Sequence, residues 1–261
     1  MELKLPFLLD ENPKLLIVDG AGTLFDPDSK IPIYALQSAF FDEGFELDLT
    51  TINKYMGVNK IEHIRLISKD PLVEKQALEK GRDFLNENDV NEIYVKFKKY
   101  IEIYSQKTEE IEGVKEALFS LKKYKIPVVM TTGYDVRTVE IIKEKLPWLN
   151  EVLTATFTSN DVKKGRPYPF MLFRAMELCT IINSSYAVKV GDTKVDMQEA
   201  DNAQMPGIIV TSGILNSKEE AEKVNQELGR KHLILSDLRE TISYIIEGTL
   251  KERILSLCND N

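Results

Sequence analysis

Cysteine is almost missing from this sequence. Cys179 and Cys258 are the only two in 261 residues, and they form no CxxC pair and flank no histidine cluster. A disulfide framework and a cysteine-type zinc site are therefore excluded, and a reducing, cytoplasmic setting is the expectation. Positive charge is in deficit: 34 Lys and Arg face 42 Asp and Glu, a net charge of -8. That balance argues against nucleic acid or an anionic membrane as partner. It leaves room for a small anionic ligand held by a few convergent donors. Long apolar runs are also lacking, and none approaches the roughly eighteen residues a helix needs to span a bilayer. The first eleven residues place acids on both sides of a short apolar run, which reads as no secretory signal. What is present is ordinary for a soluble globular chain: 43% hydrophobic and 29% charged residues, at a length compatible with one domain or two.

From residue 14 the chain alternates short β-branched runs with amphipathic segments. Residues 15–18, 126–130, 153–157, 187–190, 207–210 and 233–235 read as strands. Helices are expected over 135–146, 168–178, 194–204, 217–228 and 237–247. Strands separated by helices imply βαβ units, hence an α/β fold with a doubly wound parallel sheet. The interruption at 28–112 reads as almost purely helical. Ile33, Leu36 and Phe40 share helical spacing and end before Gly44, a C′ residue; Asp70-Pro71 makes a cap followed by proline at N1. Ile93, Phe97, Tyr100, Ile101 and Tyr104 form a stripe suited to core packing. The expected organisation is an α/β core of residues 1–27 and 113–261 with an inserted small α-helical cap domain of residues 28–112.

In an open parallel sheet, ligands bind beyond the carboxyl ends of the strands. Three strands run into polar turns there: Asp19-Gly20-Ala21-Gly22-Thr23, Thr131-Thr132-Gly133-Tyr134 and Gly191-Asp192-Thr193-Lys194-Val195-Asp196. A fourth segment, Lys163-Lys164-Gly165-Arg166-Pro167-Tyr168-Pro169, adds cationic charge ahead of a helix. Carboxylates at adjacent strand tips, Asp19 and Asp192, suit a hard cation such as Mg2+. Donors from Thr132 and Gly133 with Arg166 opposite suit a phosphoryl group.

In this order and spacing the segments resemble the four motifs of the haloacid dehalogenase superfamily, at Asp19, Thr132, Arg166 and Asp192/Asp196. Within it the chain is similar to the phosphonoacetaldehyde hydrolases (phosphonatases). Four strings carry that likeness: Asp19-x-Ala21-Gly22-Thr23, Met56-Gly57-x-x-Lys60-Ile61-x-His63, Thr131-Thr132-Gly133-Tyr134 and Gly165-Arg166-Pro167-Tyr168-Pro169. The resemblance implies a Mg2+-dependent hydrolase that splits the C–P bond of phosphonoacetaldehyde into acetaldehyde and phosphate. It implies that Asp19 takes the phosphoryl group, that Asp19, the Ala21 carbonyl and Asp192 hold Mg2+, and that Asp196 supports the metal from nearby. Lys60 would form a Schiff base, His63 would move protons, and Met56, Thr132, Gly133, Tyr134 and Arg166 would line the substrate site. It further implies a phosphonate as small-molecule partner and a homodimer formed through the cap.

Ala21 stands where ordinary phosphatases of the superfamily carry a second Asp, which serves as acid and base. An alanine does neither, so an electron sink on carbon is needed instead, and Lys60 is the amine that supplies one. Asn59 is placed to cap the helix that Lys60 begins, with Glu62 as capping-box partner. The first turn of a helix disfavours an ammonium, but only by about 0.3–1 kcal/mol, so burial must do most of the work of freeing the amine. His63 follows on the same helical face.

The sequence also departs from the family, which carries tryptophan at Gly20, two leucines at Val58-Asn59 and a shorter acid at Glu62. Gly20 is expected to widen the pocket. Two rival readings stay open: a related hydrolase acting on another phosphonate or phosphate ester, and a catalytically silent phospho-ligand binding protein.

Overall fold

The computed structural model describes residues 3–259; the outermost residues of the expected core segments, 1–2 and 260–261, lie outside that range. Strand β1 (Leu15–Val18) is four apolar residues with no exposed surface. Such a run must be covered on both faces, which places it at the centre of a parallel sheet. The sheet follows: β1, β2 (Val128–Thr132), β3 (Ala155–Thr158), β4 (Ala187–Gly191), β5 (Gly207–Val210) and β6 (Leu233–Leu235) pair in parallel, in the order β3-β2-β1-β4-β5-β6. Leu16 stands opposite Val128 on one side, and Ile17 opposite Lys189 on the other. Chain order reverses at β1, so the crevice between the ends of β1 and β4 is where a ligand binds in such sheets.

The two faces of β1 feed two apolar clusters. Leu16 and Val18, with Val128 and Met130, pack toward α6 (Val114–Leu121), α12 (Leu238–Glu247) and α13 (Leu250–Ser256). Leu15, Ile17 and Val129 pack toward α9 (Phe170–Leu178) and the residues after α10 (Lys194–Asn202). Each such side chain, fully buried, is worth about 1.5–3 kcal/mol relative to exposure. Helices α7 (Val136–Lys145), α8 (Leu149–Val152) and α11 (Lys218–Leu228) complete the layers.

Between β1 and β2 the chain is helical: α1 (Lys30–Phe41), α2 (Leu49–Asn53), α3 (Lys60–Ile67), α4 (Pro71–Glu79) and α5 (Glu87–Ser105) form the cap. α1 and α5 pack along their length. Ile93, Phe97 and Ile101 are buried there, and the Tyr104 hydroxyl meets Ser38 Oγ at 3.0 Å, so the stripe is core packing as its spacing suggests. Gly44, at φ +81, follows α1, and the amides of Gly44 and Phe45 donate to the carbonyls of Phe41 and Phe40. That pattern satisfies the last carbonyls of the helix. Asp70 caps α4 by accepting from the Leu72 amide at 3.1 Å.

Several boundaries shift from the sequence reading; β3 starts at Ala155 rather than 153, and α10 ends at Asn202 rather than 204. β2 lies two residues later than 126–130: Pro127 donates no hydrogen bond, and the strand runs on through Thr132. α9 begins at Phe170 rather than 168, because Pro169 takes the N-cap position. Helices α6, α8 and α13 went unread in the sequence. Among the described residues no helix is long and apolar enough to cross a membrane.

Candidate active site

Asp19 is the residue after β1, Thr132 ends β2, Gly191 ends β4 and Asp192 follows it, so the sheet alone brings them to one edge. There Asp19, Thr132 and Asp192 line a cavity of about 370 Å3, mouth included, with Ala21, Gly133, Tyr134 and Arg166 from the core and Met56, Gly57 and Lys60 from the cap. Ser29, Pro32, Thr193 and Ile214 complete the wall. Of the site residues singled out in the sequence, two do not line the cavity: Asp196 lies beneath its floor, and His63 lies in the cap. Its ring is fully buried in the cap, with Nε2 on the Ile52 carbonyl at 2.9 Å and Nδ1 unpartnered. Burial, and then the charge of Lys60, hold His63 well below the usual imidazole range, so the ring is neutral.

The floor is ionic. Arg166 Nη2 donates to Asp19 Oδ1 at 2.5 Å and to the Thr131 carbonyl at 2.7 Å, while Nη1 donates to Asp196 Oδ1 at 2.8 Å. Lys189, inside β4 and fully buried, donates to Thr131 Oγ1 at 2.9 Å and meets Asp196 Oδ1 at 3.0 Å. Glu199, on α10, stands 3.5 Å from Arg166 Nε and 3.7 Å from Lys189 Nζ. Neither Lys189 nor Glu199 was singled out in the sequence; the signal was a lysine inside an otherwise apolar strand. Asp196 also receives the Thr193 hydroxyl at 2.5 Å and amide at 3.2 Å, a capping box that starts α10. Burial alone would raise Asp196, but Arg166, Lys189 and Thr193 hold it below the carboxylate range. Its direct work is thus to receive the two cations.

Asp192 is different. Its Oδ2 accepts from the Ile214 amide at 2.7 Å and from Ser29 Oγ at 3.2 Å, while Oδ1 is buried with no partner. Gly22, at φ +78, allows this approach, since a Cβ there would fall 2.2 Å from Asp192 Oδ2. Burial, followed by the charges of Asp19 and Asp196, pushes Asp192 well above its ordinary value, and burial raises Asp19 against the pull of Arg166. One oxygen from each of Asp19, Asp192 and Asp196 lies within 4.8 Å of the others. A buried, unpartnered carboxylate oxygen amid repelling acids is the donor set of a hard divalent cation, and oxygen-only ligation suits magnesium. The residues present therefore fit a metal ion, with Asp19 and Asp192 as the carboxylates that would hold it.

On the cap side, Lys60 is the first residue of α3 and only 8% exposed. Its Nζ donates to Met56 Sδ at 3.7 Å, and among the described residues no carboxylate lies within ion-pair distance of it. Burial brings the amine down to about 8, against the opposing pull of Asp19. Burial, more than the helix terminus, is the source of the shift, as the sequence argument requires. Asn59 caps α3 by accepting from the Ile61 amide at 3.1 Å. The expected capping box does not form, because the Glu62 carboxylate pairs with Arg65 on its own helix. Gly57, at φ +93, lets the cap loop touch the core: a Cβ there would lie 2.7 Å from Thr193 Oγ1.

Gly20 does not widen the pocket. An added Cβ would lie 3.0 Å from the Phe25 ring and 3.4 Å from Met130 Sδ, so the space is filled from the same loop and from β2. The Tyr134 hydroxyl, in contrast, is buried at the cavity with no partner, and burial raises it well above the phenol range, so it stays protonated.

A family model of haloacid dehalogenase-like hydrolases matches residues 16–210. A phosphonoacetaldehyde hydrolase of Bacillus mycoides (strain KBAB4) is 32% identical over 209 residues, 78% of this chain and 79% of its own. Another, of Bacillus thuringiensis (strain Al Hakam), is 30% identical over 235 residues, 88% of this chain and 85% of its own. Among solved structures, a phosphonoacetaldehyde hydrolase-like protein from Oleispira antarctica superposes with a TM-score of 0.82 at 24% identity, covering 98% of this chain and 99% of that one. A β-phosphoglucomutase from Clostridium difficile shares the fold at a TM-score of 0.67 and 13% identity, over 93% of this chain and 99% of that one.

Proposed function

The chain belongs to the haloacid dehalogenase-like hydrolases, and from that membership we propose that it cleaves the C–P bond of phosphonoacetaldehyde to give acetaldehyde and phosphate. The observation that carries the reading is Lys60: a buried amine brought down to about 8, with no carboxylate at ion-pair distance among the described residues, in the wall of the same cavity as Asp19. We take residues 1–27 and 113–261 as the core and 28–112 as the cap. The homodimer is expected to form through this cap, where Phe41, Leu78 and Val95 are exposed.

The neutral Lys60 amine adds to the substrate aldehyde, and loss of water leaves an iminium. Arg166, with the donors of Thr132 and Gly133, orients the phosphonyl group toward Asp19. Asp19 attacks phosphorus; the C–P bond breaks, and its electron pair flows into the iminium to give an enamine. Protonation of the enamine carbon and hydrolysis release acetaldehyde and restore Lys60, while water cleaves the aspartyl-phosphate. Asp19 and Asp192, with the Ala21 carbonyl, would hold Mg2+, which would supply positive charge beside the phosphonyl oxygens. His63, neutral and outside the wall of this cavity, does not touch the substrate there. Ala21 fits this route, since an enamine needs no acid at the leaving atom.

The other phosphonate or phosphate-ester reading loses its support at position 20, where the space is filled. Asn59 gives it none either, being absent from the wall of this cavity. The deciding assay is phosphate release from phosphonoacetaldehyde. Turnover with Mg2+ and its loss in chelator are expected. Fast hydrolysis of plain phosphomonoesters, unaffected by Lys60 substitution, would replace this reading with the ester hydrolase.

A pH dependence follows from Lys60. The amine reacts when unprotonated, so reactivity rises with pH. With a value of about 8, the free fraction climbs from roughly a tenth at pH 7 to roughly nine-tenths at pH 9. Borohydride trapping of the Lys60 imine should accelerate about tenfold over that interval. A midpoint near the ordinary lysine value would contradict the buried amine.

A further inference from the structure

Lys60 belongs to the cap and Asp19 to the core, so their relation depends on how the two parts dock. One side-chain hydrogen bond crosses directly beside the lysine: Asn59 Nδ2 donates to Ser159 Oγ at 2.9 Å. Asn59 uses both ends of its amide, because its Oδ1 caps α3. Ser159 follows β3 and is itself anchored. The Thr158 amide and hydroxyl both donate to Asp161 Oδ2, at 2.7 and 2.8 Å, fixing the turn that carries it. Its Cβ also packs on the backbone next to the phosphoryl-binding arginine, since a Cβ on Gly165 would lie 3.1 Å from it. Asn59, Lys60, Ser159, Gly133 and Tyr134 line a second small space, which shares Lys60, Gly133 and Tyr134 with the substrate cavity.

We propose that Ser159 is a positioning residue: its hydroxyl docks the capping side chain of the Lys60 helix onto the core, and thereby fixes the amine over Asp19. The inference rests on the proposed function for its catalytic consequence, but not for the docking itself. Asn59 replaces a leucine of the family pattern, so this chain has a directional contact where an apolar one is usual. A hydrogen bond fixes the rotation of α3 about its axis in a way that an apolar side chain does not. A contact of this kind sustains about a 3- to 10-fold bias toward the docked state.

The test uses the full chain with Ser159→Ala, Asn59→Ser and the double variant; serine at 59 keeps a capping oxygen but does not span to 159. Borohydride trapping at Lys60 with phosphonoacetaldehyde should slow about 3- to 10-fold in each variant and no further in the double. Affinity for inorganic phosphate, set by the core, should stay within twofold. Amide exchange at Ile61 and His63 should quicken by the same factor, with β3 amides unchanged. Unchanged trapping and exchange in Ser159→Ala, losses that multiply in the double variant, or equal loss of protection in β3 would each overturn the proposal. If wild-type protein forms no adduct, the proposed activity fails while the exchange measurement still decides the docking role.

Discussion

Lys60→Arg is expected to lower phosphate release from phosphonoacetaldehyde by about 10³-fold or more, and to abolish the borohydride adduct. Arginine keeps a positive charge and is no shorter. Its guanidinium does not deprotonate near neutral pH, so it forms no imine. Without an iminium the electron pair of the C–P bond has no acceptor, and a bare carbanion becomes the leaving group. Electrostatics alone does not rescue the step, which makes this substitution sharper than alanine. Lys60→Met serves as the companion, because it fills similar space without charge. Lys60 has no ion pair to lose, so removing a buried ammonium leaves the fold intact. Phosphate release and intact-protein mass after borohydride are the readouts. An arginine variant with more than a tenth of wild-type turnover would refute the imine step.

Asp19→Asn should cost on the order of 10⁴-fold in phosphate release, the scale on which enzymes lose rate when a covalent nucleophile is removed. The amide is isosteric and does not attack phosphorus. Arg166 keeps its bonds to Asp196 at 2.8 Å and the Thr131 carbonyl at 2.7 Å, so the guanidinium stays in place. Burial already disfavours the charged form of Asp19, so the neutral amide is tolerated in the folded protein. The informative contrast is with Lys60. Asp19→Asn should still yield the borohydride adduct, because imine formation precedes attack on phosphorus, whereas Lys60→Arg yields neither adduct nor phosphate. Loss of the adduct in Asp19→Asn, with unchanged melting temperature, would show that the two groups do not act in separate steps.

The fold was legible where apolar pattern and backbone chemistry agree. β1, β5 and β6 are short apolar runs bounded by turns, and their limits match the sequence reading residue for residue. Asp19, Thr132 and Asp192 were legible because each sits at a strand tip, where order along the chain becomes proximity in space. Contacts set by the third dimension stayed hidden. Lys189 reads as a lone charge in an extended run until β4 places it beside Asp196. Glu62 has the spacing of a capping box, yet Arg65 competes for it one turn along. His63 shares a helical face with Lys60 but turns into the cap interior. Gly20 reads as missing bulk, and only the folded loop shows Phe25 turning back to occupy the place.

That returning ring carries a lesson for anyone wishing to retune which aldehydes are accepted. Position 20 is a poor site for redesign, because a larger residue there must evict Phe25, whose own carbonyl ties the loop together by accepting from the Gly22 amide at 2.7 Å. Pro32 and Ile214 face the cavity from outside that loop. Paring them back would enlarge the chamber while leaving the acidic floor undisturbed.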